Sequence, residues 1–171
     1  AVIALLHQLG WQPSAIREAI ADFRGAARRQ EELFASDTVR VFDDYGHHPN
    51  EVLAVLRAFK QLQPRRLVVA FQPHRFTRTK ELMHEFAAAF GDADKLVLTE
   101  VYAASEPEIP GANSAALAAA ITACRQRLAG AGGGETPNAS ETLAARCHGF
   151  SGTSISSPSR SQRCCWLIVL R

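Results

Sequence analysis

The stretch RLVVAFQPHRFTR, residues 66–78, decides the fold class of this chain. Its first half is a continuous apolar run, as found in strands that helices cover on both faces. Its second half changes abruptly to polar and cationic side chains, among them His74, Arg75 and Arg78. In open α/β sheets, ligands bind beyond the carboxyl ends of such strands. The stretch therefore predicts a buried strand followed by a ligand-binding turn.

Segments with strand and helix patterns alternate on both sides of this stretch. The predicted strands are residues 38–42, 66–71 and 95–102. Apolar side chains recur at helical spacing in residues 47–62, 79–90 and 113–128. Thr79 is the expected N-cap of the second helix. Because strands that alternate with helices of this length imply right-handed crossovers, the order predicts an α/β fold with a mainly parallel sheet.

Each predicted strand is followed by an unusually polar segment. These segments read DDYGHHP (43–49), QPHRFTR (72–78) and EVYAASE (100–106). Because the carboxyl ends of parallel strands share one edge of the sheet, we expect the three segments to lie side by side. Polar chemistry at every strand end favours a ligand-binding site over a set of solvated loops.

The side chains of these segments suit a ligand that has hydroxyl and acidic groups. Asp43 is able to accept hydrogen bonds from ligand hydroxyls, and Tyr45 offers a phenol as donor or acceptor. The adjacent histidines fall at a predicted helix N-terminus, where exposed N–H groups and the helix dipole attract anions. The guanidinium groups of Arg75 and Arg78 match a carboxylate or a phosphate bidentately. Taken singly, each of these residues is equally compatible with a helix cap or a solvated side chain.

A metal site is the main alternative interpretation of the acids and histidines. The potential ligands are Asp43, Asp44, His47, His48, His74 and Glu100. Adjacent histidines point in different directions, however, and two arginines beside the site would repel a cation. We therefore expect no metal held by the protein, and we keep a metal-dependent hydrolase as the alternative function.

Composition argues against several classes of partner. A formal net charge of +2 over 171 residues gives no basic face for nucleic acid, and there is no aromatic platform for stacking bases. No apolar run approaches the roughly 20 residues that span a bilayer, so we expect no membrane partner. The four cysteines lack C-x-x-C spacing, which indicates free thiols rather than a zinc site or a disulfide framework.

Four strings of the sequence, in this order, are similar to the C-terminal domain of the Mur ligase family. They are RRQE (28–31), DDYGHHPNEV (43–52), FQPHRFTRT (71–79) and EVYAASEPEIPGA (100–112). The resemblance runs to about Leu128. DDYGHHP together with FQPHR resembles the member of the family that adds L-alanine, and sister ligases are not expected to have both strings.

The resemblance implies an enzyme of peptidoglycan synthesis in the bacterial cytoplasm. Mur ligases are ATP-dependent and have a domain for the UDP-sugar, a central P-loop ATPase and a C-terminal Rossmann-like domain. The implied reaction joins L-alanine to UDP-N-acetylmuramate through an acyl phosphate, and Mg²⁺ balances the phosphate charge. The implied partners are UDP-N-acetylmuramate and L-alanine. The implied cofactors are ATP and Mg²⁺, both bound mainly by the ATPase domain.

The same resemblance implies roles for seven residues. Arg28 resembles the arginine that reaches toward the ATP phosphates when the domains close, and Asp43 resembles the carboxylate that holds the nucleotide ribose. The implied L-alanine pocket and reaction centre consist of Tyr45, His47, His74, Arg75 and Arg78. Within this set the arginines engage the alanine carboxylate, and Arg28, His47 and His74 are the implied catalytic residues. No metal ligand is implied.

Three segments follow from the resemblance. Residues 1–34 are expected to be the end of the central ATPase domain, and residues 35–128 most of the Rossmann-like domain. Residues 129–171 are expected to be an aberrant or disordered tail, which leaves the sheet incomplete at its C-terminal end. The sequence has no G-x-x-x-x-G-K-[ST] motif. We therefore expect the chain alone to be inactive, and a non-functional truncated product is a further alternative.

Overall fold

The computed structural model describes residues 2–23, 25–131, 141–144 and 166–170. The strands within these residues are β1 (Glu31–Ala35), β2 (Arg40–Asp44), β3 (Leu67–Phe71), β4 (Lys95–Leu98), β5 (Glu141–Ala144) and β6 (Trp166–Leu170). The helices are α1 (Val2–Gln8), α2 (Pro13–Ala21), α3 (Pro49–Gln61), α4 (Phe76–Glu81), α5 (Met83–Ala89) and α6 (Ser114–Ala131). The fold is therefore mixed α/β, as predicted.

The described strands form one sheet in the order β1-β2-β6-β3-β4-β5. β3 is parallel to β4 and β4 is parallel to β5, whereas β6 is antiparallel to both of its neighbours, β2 and β3. β2, β3, β4 and β5 therefore run in one direction, and β1 and β6 run in the other. The expectation of a mainly parallel sheet is corrected, because three of the five strand pairings are antiparallel.

Apolar side chains of β3 and the helices around it build the core. Leu67, Val69 and Phe71 alternate along β3 and are buried, and the residues between them are partly buried. The Phe71 ring packs against two rings from the α5 region, Phe86 at 5.7 Å and Phe90 at 5.1 Å between centroids. β3 is thus the covered strand that RLVVAF predicts, and its carboxyl end leads directly into the cationic turn.

Two element boundaries differ from the sequence-based ones. β2 (Arg40–Asp44) begins and ends two residues later than predicted, so Asp43 lies within the strand. α4 begins at Phe76 rather than at Thr79. The Thr79 hydroxyl is buried and donates to the Arg75 carbonyl at 2.8 Å, so Thr79 is an interior residue of α4 and not its cap.

The sequence does not predict β1, which pairs antiparallel with β2. All five residues of EELFA are exposed, so this strand lacks the alternation of apolar and polar residues that marks a half-buried strand. β1 also begins before the expected boundary between residues 34 and 35. The sheet therefore crosses that boundary.

Two strands of the sheet lie within residues 129–171, the segment expected to be an aberrant or disordered tail. α6 continues to Ala131, and β5 and β6 both join the sheet. β6 lies between β2 and β3, and Ile168 in it is fully buried. An apolar, β-branched segment is what a strand with two neighbours requires. Residues 141–144 and 166–170 therefore extend a sheet that the sequence left incomplete, and the rest of 132–171 lies outside the described residues.

Replacing Ile168 by Ala tests the central position of β6. The register partners of Ile168 are Phe42 in β2 and Val69 in β3. Removing this buried side chain should lower the free energy of unfolding by about 2–5 kcal/mol, the usual cost of the cavity. Leu62→Ala, at a position that is 58% exposed, is the matched control and should cost far less. Urea unfolding measures both variants, and an unchanged free energy for Ile168→Ala would contradict the placement of β6.

Candidate functional site

Side chains from three loops meet at the carboxyl edge of β2, β3 and β4. The ring centroids of Tyr45 and His47 are 5.2 Å apart, and those of His47 and His74 are 6.2 Å apart. The His74 ring stacks on Tyr102 at 5.1 Å, with 21° between the planes. We call these four side chains the ring row. The expectation that the segments after the three strands lie side by side is confirmed.

Arg28 reaches this edge from the segment before β1. Its Nε lies 3.3 Å from Oδ2 of Asp43, and its guanidinium lies over the Tyr45 ring at 4.9 Å. The Tyr45 amide also donates to the Arg28 carbonyl at 2.7 Å. Arg28 has a φ of 58°, a conformation that a non-glycine residue holds only where its contacts enforce it. Backbone and side chain together therefore fix Arg28 beside the ring row.

Asp43 has one carboxylate oxygen that lacks a hydrogen-bond partner among the described residues. Oδ2 faces Arg28, whereas Oδ1 is buried and unpaired within that part of the chain. Burial raises the pKa of the Asp43 carboxyl, although the Arg28 charge acts in the opposite direction. A buried acceptor without a donor costs about 1–3 kcal/mol. Asp43 is therefore suited to receive a hydrogen bond from a ligand.

Asp44, one of the potential metal ligands, instead fixes the turn between β2 and α3. Its carboxylate is buried and accepts hydrogen bonds from the Gln30 amide at 2.9 Å and the Gly46 amide at 2.7 Å. Gln30 has a φ of 50°, which this contact helps to maintain. Both carboxylate oxygens of Asp44 are used by backbone amides, so its role is structural.

Glu51 occupies the N-terminus of α3. Its Oε2 accepts hydrogen bonds from the amides of His47 at 3.0 Å and His48 at 3.1 Å, and Nδ1 of His48 accepts from the Asn50 amide at 3.3 Å. This capping box uses amides that the sequence-based hypothesis reserved for an anionic ligand. The helix therefore holds a carboxylate of its own, which also meets Arg29 at 3.4 Å.

The loop after β4 holds the loop after β3. The Arg75 amide donates to the Tyr102 carbonyl at 2.8 Å, and the Tyr102 amide donates to the Pro73 carbonyl at 2.8 Å. His74 lies between these two contacts and forms a parallel bridge with Tyr102. The backbone of the loop is therefore fixed on both sides of the imidazole.

The pKa of the His74 imidazole is lowered from its ordinary value, which favours the neutral ring. Burial lowers its pKa, and the charges of Arg78, His47 and Arg75 lower it further, while Glu106 acts in the opposite direction. Nη1 of Arg78 lies 3.4 Å from Nδ1 of His74 and 3.4 Å from its carbonyl oxygen. Because a guanidinium only donates, Nδ1 accepts and the ring proton lies on Nε2.

Tyr102 and Glu106 are the site residues that the sequence did not single out. Nη1 of Arg75 lies 3.7 Å from Oε1 of Glu106, and the Glu106 carboxylate also accepts from the Thr77 amide at 3.1 Å and the Thr77 hydroxyl at 2.8 Å. The sequence signal that could have indicated Tyr102 and Glu106 was their position in EVYAASE, the polar segment at the end of a predicted strand. Glu100 of the same string contributes its carbonyl, which accepts from the Gln72 side chain at 3.3 Å.

Two negative findings apply to the ranges 2–23, 25–131, 141–144 and 166–170. Over these ranges, no three His, Cys, Asp or Glu side chains are grouped so that they could hold a metal ion. None of the helices described in them combines the length and the apolar character needed to cross a membrane. The acids at the sheet edge instead face arginines and backbone amides, as described above.

The sequence from residue 28 to residue 146 matches the family model of the Mur ligase, glutamate ligase domain. The match covers more than half of the chain, which therefore belongs to the Mur ligase family. The resemblance stated from the four strings is confirmed. The match begins at Arg28, the residue that pairs with Asp43 at the sheet edge.

Within this family, the chain is similar to ligases of one name. The UDP-N-acetylmuramate–L-alanine ligase of Anaeromyxobacter sp. (strain Fw109-5) is 51% identical over 127 residues, 74% of this chain and 28% of that ligase. The ligase of the same name from Myxococcus xanthus is 48% identical over 123 residues, 72% of this chain and 26% of that ligase. This chain thus spans little more than a quarter of the length of these relatives.

A solved structure gives the same result at the level of the fold. The UDP-N-acetylmuramate–alanine ligase of Thermotoga maritima superposes with a TM-score of 0.54 at 29% identity. The superposition covers 85% of this chain and 27% of that one.

The capping carboxylate of α3 generates a pH-dependent prediction. Burial alone would raise the pKa of Glu51, but hydrogen bonds from the amides of His47 and His48 lower it below its ordinary 4.5. Because the pKa is lowered in the folded state, ionised Glu51 stabilises the fold above that ordinary value, and the contribution is lost as pH falls through the folded pKa. Glu51→Gln should therefore destabilise the chain at pH 7 by about 1 kcal/mol or less, since the side chain is 35% exposed.

The measurement is the free energy of unfolding of wild type and Glu51→Gln in urea, at steps between pH 7 and pH 3. The difference between the two proteins should shrink as pH falls. Glu85→Gln, at an exposed position of α5, controls for the loss of one negative charge. A difference that is the same at both ends of the pH range would contradict the role of the ionised carboxylate.

Proposed function

We propose that this chain provides the amino-acid-binding part of an ATP-dependent ligase that joins L-alanine to UDP-N-acetylmuramate through an acyl phosphate. The reaction belongs to peptidoglycan precursor synthesis in the bacterial cytoplasm. The main support is the placement of Arg75 and Arg78 beside neutral His74 at the sheet edge, in a chain about half identical to ligases of that name. Guanidinium groups at this position suit the carboxylate of an amino acid.

The two histidines of the ring row suit different tasks in amide formation. Nδ1 of His47 lies 3.1 Å from the Tyr45 carbonyl, so it carries the ring proton and leaves Nε2 as an acceptor. His74 has the opposite tautomer, with its proton on Nε2. The alanine amine must lose a proton to attack the acyl phosphate, and Nε2 of His47 is suited to accept it. Nε2–H of His74 is suited to donate a hydrogen bond to a negatively charged oxygen of the substrates.

The Arg28–Asp43 pair suits the nucleotide. The unpaired Oδ1 of Asp43 is an acceptor for a ribose hydroxyl, as the family resemblance implies. Arg28 pairs with the other oxygen, Oδ2, so Oδ1 is available to the ribose while the ion pair is intact. The Arg28 guanidinium then lies beside the proposed nucleotide, where it is suited to contact the ATP phosphates.

Mg²⁺ would accompany ATP and neutralise its phosphate charge. The described acids at the sheet edge do not fit as its ligands, because Asp43 and Glu106 face arginines and Asp44 and Glu51 accept from backbone amides. We therefore assign no Mg²⁺ ligand to these residues. No observation favours the alternative of a metal-dependent hydrolase.

Arg78→Ala tests the amino-acid site at the equivalent position of an intact relative, such as the Myxococcus xanthus ligase. Losing a charge-assisted hydrogen bond costs about 1.5–3 kcal/mol, which corresponds to a rise of about 10- to 150-fold in KM for L-alanine. The KM for ATP should stay within a factor of about two, since this arginine is not assigned to the nucleotide. Lys80→Ala, exposed on the same helix, is the control. Steady-state kinetics with an unchanged KM for L-alanine would remove this loop from the proposed site.

The chain by itself is expected to be inactive. Its sequence lacks the G-x-x-x-x-G-K-[ST] loop that cradles ATP phosphates, so it should neither release phosphate from ATP nor form the amide bond. The assay measures phosphate release with ATP, Mg²⁺, UDP-N-acetylmuramate and L-alanine present, and the intact Anaeromyxobacter ligase is the positive control. Substrate-dependent phosphate release by the purified chain would contradict the prediction. A cooperative unfolding transition in the same preparation would argue against a non-functional, unfolded product.

A further inference from the structure

Glu106 joins the loop after β4 to the first turn of α4. Its carboxylate accepts from both the amide and the hydroxyl of Thr77 and faces the Arg75 guanidinium. Arg75 is the N-cap residue of α4 and makes no capping hydrogen bond with its own side chain. Glu106 therefore supplies, from another loop, the acceptor that the first turn of a helix needs. The Glu106 side chain is 18% exposed, whereas the Arg75 side chain that it faces is 50% exposed, so solvent reaches the ion pair from the arginine side.

The residue that Glu106 faces is held in an unusual backbone conformation. Arg75 has a φ of 73°, which costs energy for a non-glycine residue. Its amide donates to the Tyr102 carbonyl, and its carbonyl accepts from the Thr79 amide at 3.1 Å. With the ion pair to Glu106, the backbone and the side chain of Arg75 are both constrained. This is the arrangement expected where a loop must present a neighbouring side chain in one orientation.

The two arginines of this loop have different electrostatic partners. Arg75 faces Glu106. Arg78 is partly buried, contacts neutral His74, and has no carboxylate within ion-pair distance among the described residues. A partly buried guanidinium beside a neutral ring is the one that gains most from an anionic ligand.

We infer that Glu106 is a positioning residue of the proposed alanine site. Glu106 binds Arg75 and the first turn of α4, and it thereby holds Arg78 where that guanidinium receives the substrate carboxylate. The inference rests on the proposed function. Without the Glu106 charge, the Arg75 guanidinium would lose the carboxylate that fixes its direction beside Arg78. The first turn of α4, which leads to Arg78, would also lose an acceptor.

The test is an NMR titration of the full 171-residue chain with L-alanine, observed at the Nε–H signals of Arg75 and Arg78. In the wild type, the Arg78 signal should shift saturably and more than the Arg75 signal. L-Alaninamide, which lacks the carboxylate, should leave the Arg78 signal unchanged. Glu106→Gln should weaken L-alanine binding about 5- to 10-fold, and Glu106→Asp should restore part of it. Glu108→Gln, the same change at an exposed position of the same loop, is the matched control and should bind as the wild type does.

The outcomes separate the inference from the proposed function. A wild-type chain in which L-alanine shifts neither arginine signal would contradict the amino-acid site itself. A saturable shift that is larger at Arg75 than at Arg78 would overturn the role of Glu106 alone. Wild-type affinity for L-alanine in Glu106→Gln would do the same. Thermal unfolding of each variant distinguishes a positioning role from a structural one: a lowered midpoint with unchanged affinity for L-alanine would also overturn the inference.

Discussion

The common direction of β2, β3 and β4 is the constraint on which the site depends. Each strand delivers one polar segment, and only strands that run the same way deliver their segments to one edge. β2 and β3 are not neighbours, however. They run the same way because both are antiparallel to β6, which lies between them. The spacing between Asp43 at the end of β2 and the His74 loop after β3 is therefore set by β6 (Trp166–Leu170), which is distant from both in the sequence.

The parts of this arrangement that could be predicted have local signals. RLVVAF predicts β3 because five apolar residues in succession suit a covered strand, and the helical spacing of Val52, Leu56 and Phe59 predicts α3. β6 has a similar apolar signal in WLIVL, but its neighbours lie far away in the sequence. Nothing local indicates that these residues enter the sheet between β2 and β3. The exposed β1 has no pattern to detect.

The site shows the same limit at the level of single residues. The sequence places Asp43 and Asp44 together, but adjacent residues of a strand face opposite sides of the sheet. Once β2 extends to Asp44, the two carboxylates cannot share one ligand, and the structure pairs Asp43 with Arg28 and gives Asp44 to backbone amides. The sequence-based strand ended at residue 42, two residues too early, so the opposite orientations of Asp43 and Asp44 could not be predicted. Glu100 and Glu106 are a similar case, since both follow β4 and only the fold shows which of them faces α4.

The pairing of charges limits which anions the proposed alanine site would attract. Three of its guanidinium groups meet a carboxylate of the chain: Arg28 with Asp43, Arg29 with Glu51 and Arg75 with Glu106. If none of these guanidinium groups had a carboxylate partner, this edge of the sheet would attract any phosphate or polyanion, including ATP, in many different positions. The internal carboxylates restrict that attraction and fix each guanidinium in direction. Among the arginines described at this edge, Arg78 contacts a neutral imidazole in place of an acid, and a single guanidinium fork matches the two oxygens of one carboxylate.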